Sequence, residues 1–153
     1  MKHQIDKYIL KRLDELDWQD KELAEKSTIS KGQISKLKNG SIEKLSAETF
    51  YLVVEAFGDK FLSAISLIYP RLKDHKLKKY QPKDRNVFGV LMSKYETTVN
   101  SIDEISAKTG IPEVRLHELY FRKGGLQAHE LILIEKAIDK EAGELFEELY
   151  GKT

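Results

Sequence analysis

The sequence contains no cysteine, which excludes disulfide bonds and thiolate metal sites and makes a reducing cytoplasm the expected location. It has a single tryptophan, so the core must be mostly aliphatic. No apolar run approaches membrane-spanning length, and we expect no association with a membrane. The first ten residues are charged and helical in pattern, which argues against a signal peptide.

The chain also lacks an excess of charge of either sign, since its net charge is only +1. The two halves differ, however. Residues 1–80 hold 16 Lys and Arg against 12 Asp and Glu, whereas residues 81–153 hold 10 against 13. The segment 71–85, RLKDHKLKKYQPKDR, has seven basic residues and two acidic ones. Such a cluster attracts polyanions, but a solvated linker has the same composition, so charge alone favours nucleic acid only slightly.

Apolar residues recur at helical spacing along the chain, and no stretch shows sustained alternation of the kind that strands require. The sequence therefore predicts an all-α fold. The clearest periodic positions are Ile5, Ile9, Leu13 and Leu16, then Phe50, Val53, Val54 and Phe57, then Phe61, Ile65 and Ile68.

The stretch STISKGQISKLKNG, residues 27–40, predicts a short helix with a defined start and end. Ser30 and Gln33 have the spacing of a capping box, and Ile29 and Ile34 that of a hydrophobic staple. Asn39–Gly40 is a C-terminal stop, because glycine accepts the left-handed conformation. A helix of about eight residues is marginal alone and needs neighbours to hold it.

The second half of the sequence repeats the first. ELAEKSTISKGQISKL, residues 22–37, aligns with EISAKTGIPEVRLHEL, residues 104–119, at an offset of 82. LSAETFYLVVEAF, residues 45–57, aligns with LQAHELILIEKAI, residues 126–138, at an offset of 81. Matched breaks and caps predict two five-helix domains, residues 1–80 and 81–153, joined by a basic linker around residues 80–86.

Residues 8–58 resemble the helix-turn-helix domain of the lambda-repressor/Cro type, also called the xenobiotic-response-element family, and residues 88–138 resemble it weakly. The resemblance implies tandem five-helix repressor-like domains and a transcriptional regulator that binds duplex DNA in a sequence-specific manner. The residues that carry it are Leu23-Ala24, the turn into Ser30, Ile34, Leu37, Asn39-Gly40 and the helix start Ser46-x-Glu48-Thr49.

The second helix of such a motif leaves its polar face free to enter a major groove about 12 Å wide. Lysine can donate to guanine O6 and N7 or neutralise phosphates, and Asn39 is a helix cap as well as a phosphate donor. Lysines on a helix are also typical of a face that is merely solvated. The predicted DNA-binding residues are Lys31, Gly32, Gln33, Ser35, Lys36, Lys38 and Asn39.

Three positions depart from the family pattern. Gly32 stands where many members carry a base-reading side chain. Asp20 stands where a phosphate-contacting Gln is usual, and it would repel a phosphate although it suits the helix dipole. Thr28 stands where Gly is frequent in the turn, which predicts strain or a variant turn.

The corresponding helix of the second copy, PEVRLHEL at residues 112–119, has Glu113 and Glu118 beside only Arg115 and His117. Acidic side chains that face phosphates are unfavourable. We expect a degenerate repeat that serves packing or dimerisation rather than a second DNA reader. Because readout by so few side chains normally needs two half-sites, we expect either a homodimer, formed through the second domain, or both repeats acting together.

Enzyme chemistry has little support in the sequence. The pairs His117-Glu118 and His129-Glu130 lack the second histidine of a zinc-protease helix, and there is no glycine-rich phosphate loop or nucleophile–base pair. We therefore expect no catalytic residues, no metal and no cofactor. The alternative function is a protein-interaction module, antitoxin-like or an adaptor, whose helix-turn-helix has lost DNA binding. An apolar patch on the lysine-bearing face would favour that alternative.

Overall fold

The computed structural model describes residues 1–81, 84, 87–92, 100–122 and 125–151. These residues form helices and no β-strand, so the all-α prediction is confirmed. Most of the predicted linker, including Pro82, Lys83, Arg85 and Asn86, lies outside the described residues. The helices are α1 (Ile5–Leu16), α2 (Asp20–Ser27), α3 (Lys31–Lys38), α4 (Ala47–Phe57), α5 (Phe61–Ile68), α6 (Val87–Met92), α7 (Ile102–Thr109), α8 (Glu113–Phe121), α9 (Ala128–Ala137) and α10 (Glu144–Tyr150).

Helices α1 to α5 surround a core built from the periodic apolar positions. α1 buries Ile5, Ile9 and Leu13 on one face and packs against α3 and α5. α4 begins at Ser46, whose hydroxyl accepts a hydrogen bond from the Thr49 N–H at 3.1 Å. It contributes more buried residues than the other helices of this half, namely Ala47, Phe50, Tyr51, Val53, Val54 and Phe57.

The two halves of the chain pack directly on each other through α4, which contacts α9 and α10. The Phe50 and Phe146 rings lie 5.3 Å apart, and the Tyr51 hydroxyl donates to Glu147 Oε2 at 3.1 Å. Burial and this carboxylate raise the pKa of Tyr51 to about 12, since both disfavour the phenolate. The halves therefore share one continuous hydrophobic core.

The segment after α5 fastens the first half to α7. A short 3-10 turn, Leu72–Asp74, buries Leu72, and the next residue, His75, makes a 2.9 Å hydrogen bond with the Thr109 carbonyl through Nε2. The Lys78 N–H donates to the Lys108 carbonyl at 2.9 Å. Part of the basic segment 71–85 is thus held against the second half. Within the described residues, no helix is long and apolar enough to cross a membrane.

Candidate nucleic-acid interface

The turn between α2 and α3 is made by Thr28, Ile29 and Ser30, and Thr28 adopts the left-handed conformation with φ +64°. A β-branched residue is strained there, because its Cβ crowds the backbone. The Thr28 hydroxyl donates to the Ser27 carbonyl at 2.5 Å, and the Ile29 N–H donates to Ser27 Oγ at 3.2 Å. Two local hydrogen bonds thus support the turn that departs from the family pattern.

Ser30 caps α3 as predicted, since its hydroxyl accepts from the Gln33 N–H at 3.2 Å. The other half of the predicted capping box is missing. Within the described part of the chain, the Gln33 side-chain amide makes no hydrogen bond to Ser30. The helix start therefore leaves the Gln33 amide available to a ligand.

Helix α3 is held by its apolar face and presents its polar face to solvent. Ile34 and Leu37 are fully buried, together with Leu23 of α2. Because helix positions that differ by three or four residues share a face, burial of Ile34 and Leu37 leaves most of the predicted DNA-binding residues on the opposite side. Lys31, Gly32, Ser35, Lys36 and Asn39 are exposed, whereas Gln33 and Lys38 are partly buried at its edges.

Lys31 and Lys36 form no salt bridge with any described residue, but Lys38 does. Lys38 Nζ lies 2.8 and 3.0 Å from the two carboxylate oxygens of Asp20, at the start of α2. The Asp20 charge that would repel a phosphate is therefore balanced within the protein. In turn, the Lys38 ammonium is held at the edge of the face.

Asn39 ends α3, and Gly40 follows with φ +77°, as the predicted stop requires. Asn39 Oδ1 accepts from the Ser41 N–H at 2.9 Å and also from the Ser41 hydroxyl. The oxygen of the amide is thus committed to the turn. Asn39 is exposed, and its NH₂ group has the chemistry to donate to a phosphate.

Gly32 lies in open space on the exposed face, since a Cβ atom built there would meet nothing within 4 Å. No packing or backbone requirement explains a glycine at this helical position, where φ is not positive. The missing side chain leaves the α3 backbone accessible between Lys31 and Lys36.

The corresponding helix of the second half, α8, has a different surface. The Arg115 guanidinium donates to both carboxylate oxygens of Glu130, at 2.7 and 2.8 Å, to Glu118 at 3.2 Å and to the Gly125 carbonyl at 2.9 Å. Burial opposes ionisation of Glu130, but its hydrogen bonds to Arg115 and to the Gln127 N–H outweigh burial and hold its pKa below the usual range. The one arginine of α8 is thus engaged by partners within the protein, although a quarter of its side chain remains exposed.

The rest of the α8 surface is acidic or apolar. Glu113 is exposed, Val114 and Phe121 are 73% and 75% exposed, and the His117 ring stacks on Phe121 at 5.8 Å. The predicted acidic character of this helix is therefore accompanied by an apolar patch. A shallow cleft runs beside these residues, between Val114 and Arg122.

Both His-Glu pairs occupy ordinary structural environments. His117 stacks on Phe121, and His129 is half-buried beside Tyr69, where burial lowers its pKa. Among the described residues, no three His, Asp or Glu side chains come together in a way that would hold a metal ion.

Sequence reasoning missed the two ion pairs that shape these surfaces, Lys38–Asp20 and Arg115–Glu130. Their members lie 18 and 15 residues apart on different helices. A helix-face pattern therefore does not reveal them. The only signal in the sequence was the aspartate at position 20, whose charge is unusual for the family and requires a partner.

Residues 9–60, about a third of the chain, match a family model described as helix-turn-helix. The match spans most of α1 and all of α2, α3 and α4. Neither the curated proteins nor the solved structures yielded a match to the chain. The matched family is a family of DNA-binding regulators rather than enzymes, and the match supports a helix-turn-helix in the segment 9–60.

Proposed function

We propose that the protein is a repressor-like transcriptional regulator that binds duplex DNA in a sequence-specific manner through α3. The observation that carries this proposal is the free lysine face of α3. Lys31 and Lys36 stand exposed without an ion-pair partner among the described residues, on the side opposite the buried Ile34 and Leu37. Such a role places the protein in the cytoplasm, together with the DNA.

The dimensions and chemistry of α3 suit a major groove. A helix with its side chains is about 10–12 Å across, which fits a groove about 12 Å wide. Lys31, Gln33, Ser35 and Lys36 would face base edges, because each offers a donor there and Gln33 and Ser35 also accept. Asn39, through its uncommitted NH₂ group, would hold a phosphate at the end of the helix.

The test is a pair of substitutions on this face, Lys31→Ala with Lys36→Ala. Both side chains are exposed, so the fold should persist, while the slope of log affinity against log salt should fall by about two. A matched control is Lys11→Ala with Lys140→Ala, which removes two exposed lysines from α1 and from the loop before α10. Equal affinity and slope for the two double variants would remove α3 from the interface.

We also propose that residues 81–153 are a second, degenerate copy of the first domain. The order of helices supports this proposal. α2 and α7 begin 82 residues apart, as do α3 and α8, and α4 and α9 begin 81 residues apart. The left-handed residue after α2, Thr28, corresponds to Gly110 after α7, which has φ +81°.

The alternative function, a protein-interaction module, is favoured by one observation on α8 rather than on α3. Val114 and Phe121 form an exposed apolar patch at the place where a second DNA-reading helix would stand. A folded protein that binds neither random nor selected duplex DNA at low salt would support this alternative over the proposed regulator.

A further inference from the structure

The two halves are joined by a reciprocal pair of main-chain hydrogen bonds. The Ala47 N–H donates to the Leu126 carbonyl at 2.8 Å, and the Ala128 N–H donates to the Leu45 carbonyl at 3.0 Å. These bonds flank an isolated antiparallel bridge between Ser46 and Gln127. Each residue in this exchange has its counterpart 81 positions away, which is the offset between the repeats.

Any antiparallel bridge exchanges hydrogen bonds in this way, but here Ser46 pairs with its own counterpart in the repeat, Gln127. Contact between equivalent residues is what a two-fold axis produces. The helices that follow the bridge, α4 and α9, also pack on each other. The local axis thus passes between Ser46 and Gln127, where the two copies start their fourth helices. α3 and α8 hold equivalent places in the repeat, so the same axis would relate one to the other.

We propose that the two repeats of one chain take the place of the two subunits of a dimer. One molecule then forms the complete two-fold DNA-binding unit and reads a single, non-palindromic site as a monomer. This proposal rests on the proposed DNA binding by α3 and on the repeat. A second chain is not needed, because the surface around the bridge is already occupied. Ala47, Leu45 and Ala128 are at most 1% exposed, so another copy cannot pair at the same place.

The two reading positions are unequal, which makes the site asymmetric. α3 offers the free ammonium groups of Lys31 and Lys36, whereas the only arginine of α8 is engaged by Glu130, Glu118 and Gly125. Glu113 stands at the position of Lys31 in the repeat and has the opposite charge. Base recognition therefore comes from α3, and α8 adds neither a free arginine nor a lysine to the complex.

The first test measures mass and stoichiometry on the full chain. Sedimentation should give a monomer with and without DNA, and duplexes selected from a random pool should share one non-palindromic block bound one to one. A palindromic selected site with half-sites about 10 base pairs apart, bound by two chains, would overturn the proposal. Failure to bind any duplex would instead contradict the proposed function. In that case, a dimer in sedimentation without DNA would still contradict the proposal that one chain is the complete unit.

The second test restores charge to α8 by Glu113→Lys. If α8 lies at the second reading position, the added cation should steepen the salt slope by about one and strengthen binding several-fold at 50 mM salt. Glu148→Lys, an exposed change on α10, is the matched control with the same change in net charge. Equal slopes for the two variants would place α8 away from the DNA, and a circular dichroism melt of each variant verifies that it is folded.

Discussion

The helix-turn-helix of the first half and the α7–α8 segment, which we propose as its second copy, share helix spacing but differ in the contacts that their polar residues make. In the first, Lys31 and Lys36 of α3 face solvent, and Lys38 is the only one of the three lysines with an ion-pair partner among the residues that the structure describes, namely Asp20. In the second, Arg115 of α8 forms an ion pair with the buried carboxylate of Glu130, and the remaining surface of α8 is acidic or apolar. Helices at equivalent spacing thus carry a cationic face on α3 and a neutralised one on α8. What differs is the partner that the rest of the fold supplies to each basic side chain.

The largest expected effect is on stability, and it comes from breaking the ion pair between Arg115 of α8 and Glu130 of α9. Glu130 is only 4% exposed, so Glu130→Gln should leave Arg115 poorly paired and lower the free energy of unfolding by about 2–3 kcal/mol at pH 7. Urea denaturation measures this loss. Glu148→Gln, an exposed carboxylate on α10, is the control and should change stability by less than about 0.5 kcal/mol.

The same pair predicts a pH dependence. The pKa of Glu130 is lower in the folded protein than in the unfolded chain, so its stabilisation is present above the unfolded value of about 4.3 and is lost as the pH falls through the folded value. The difference in the free energy of unfolding between the wild-type protein and Glu130→Gln should therefore become smaller in acid. A gap that stays constant from pH 7 down to pH 3 would show that the carboxylate charge does not carry the effect.

The next largest effect is on DNA affinity, and it comes from releasing Lys38, at the edge of α3, from its ion pair with Asp20. Asp20→Gln removes the carboxylate that holds Lys38, so DNA binding at low salt should tighten by on the order of 1 kcal/mol, with a salt slope steeper by about one. The free protein should lose about 0.3–1 kcal/mol, through the helix dipole and the ion pair. Adding Lys38→Ala should abolish the gain in affinity. A gain that survives the second substitution would trace to Asp20 alone.

Gly32 offers a smaller effect on stability. Gly32→Ala should stabilise the protein by up to about 1 kcal/mol, because glycine is a poor helix former and the new methyl group meets no neighbour within 4 Å. Thermal unfolding measures the gain. Val114 occupies this position in α8, so Val114→Gly should produce a loss of similar size there. A destabilised Gly32→Ala variant would contradict the open surroundings of this position.

The smallest effect is expected in the turns. Thr28→Gly should relieve left-handed strain, but glycine also adds entropy to the unfolded chain, so the net gain is about 0.5 kcal/mol. The reverse change at the equivalent position after α7, Gly110→Thr, should lower stability by more than Thr28→Gly raises it. Gly110 has φ +81° without strain, and a threonine there would introduce strain. Chemical denaturation of both variants compares the turns. Loss of stability in Thr28→Gly would mean that the hydrogen bond to Ser27 outweighs the strain.

Local patterns in the sequence were enough to predict the helices and the position of the candidate site. Helical periodicity, the cap at Ser30 and the stop at Asn39–Gly40 depend on neighbours within about four residues, and the structure has all three. The exposed face of α3 follows from burial of Ile34 and Leu37 alone. One local expectation was incomplete, since Gln33 makes no reciprocal bond to Ser30 within the described residues, and a free amide costs little at an exposed helix end.

Only the tertiary structure decided which charges remain available and how the halves meet. Lys31, Lys38 and Arg115 are all basic residues of short helices, and the sequence does not distinguish them. In the structure, Lys38 is paired with Asp20 and Arg115 with Glu130, whereas Lys31 has no ion-pair partner in the part of the chain that the structure describes. The exchange of hydrogen bonds between residues 45–47 and 126–128 likewise has no local signal. The physical reason is that an ion pair or a main-chain bridge depends on distance in space, which residues far apart in the chain acquire only when the core brings their helices together.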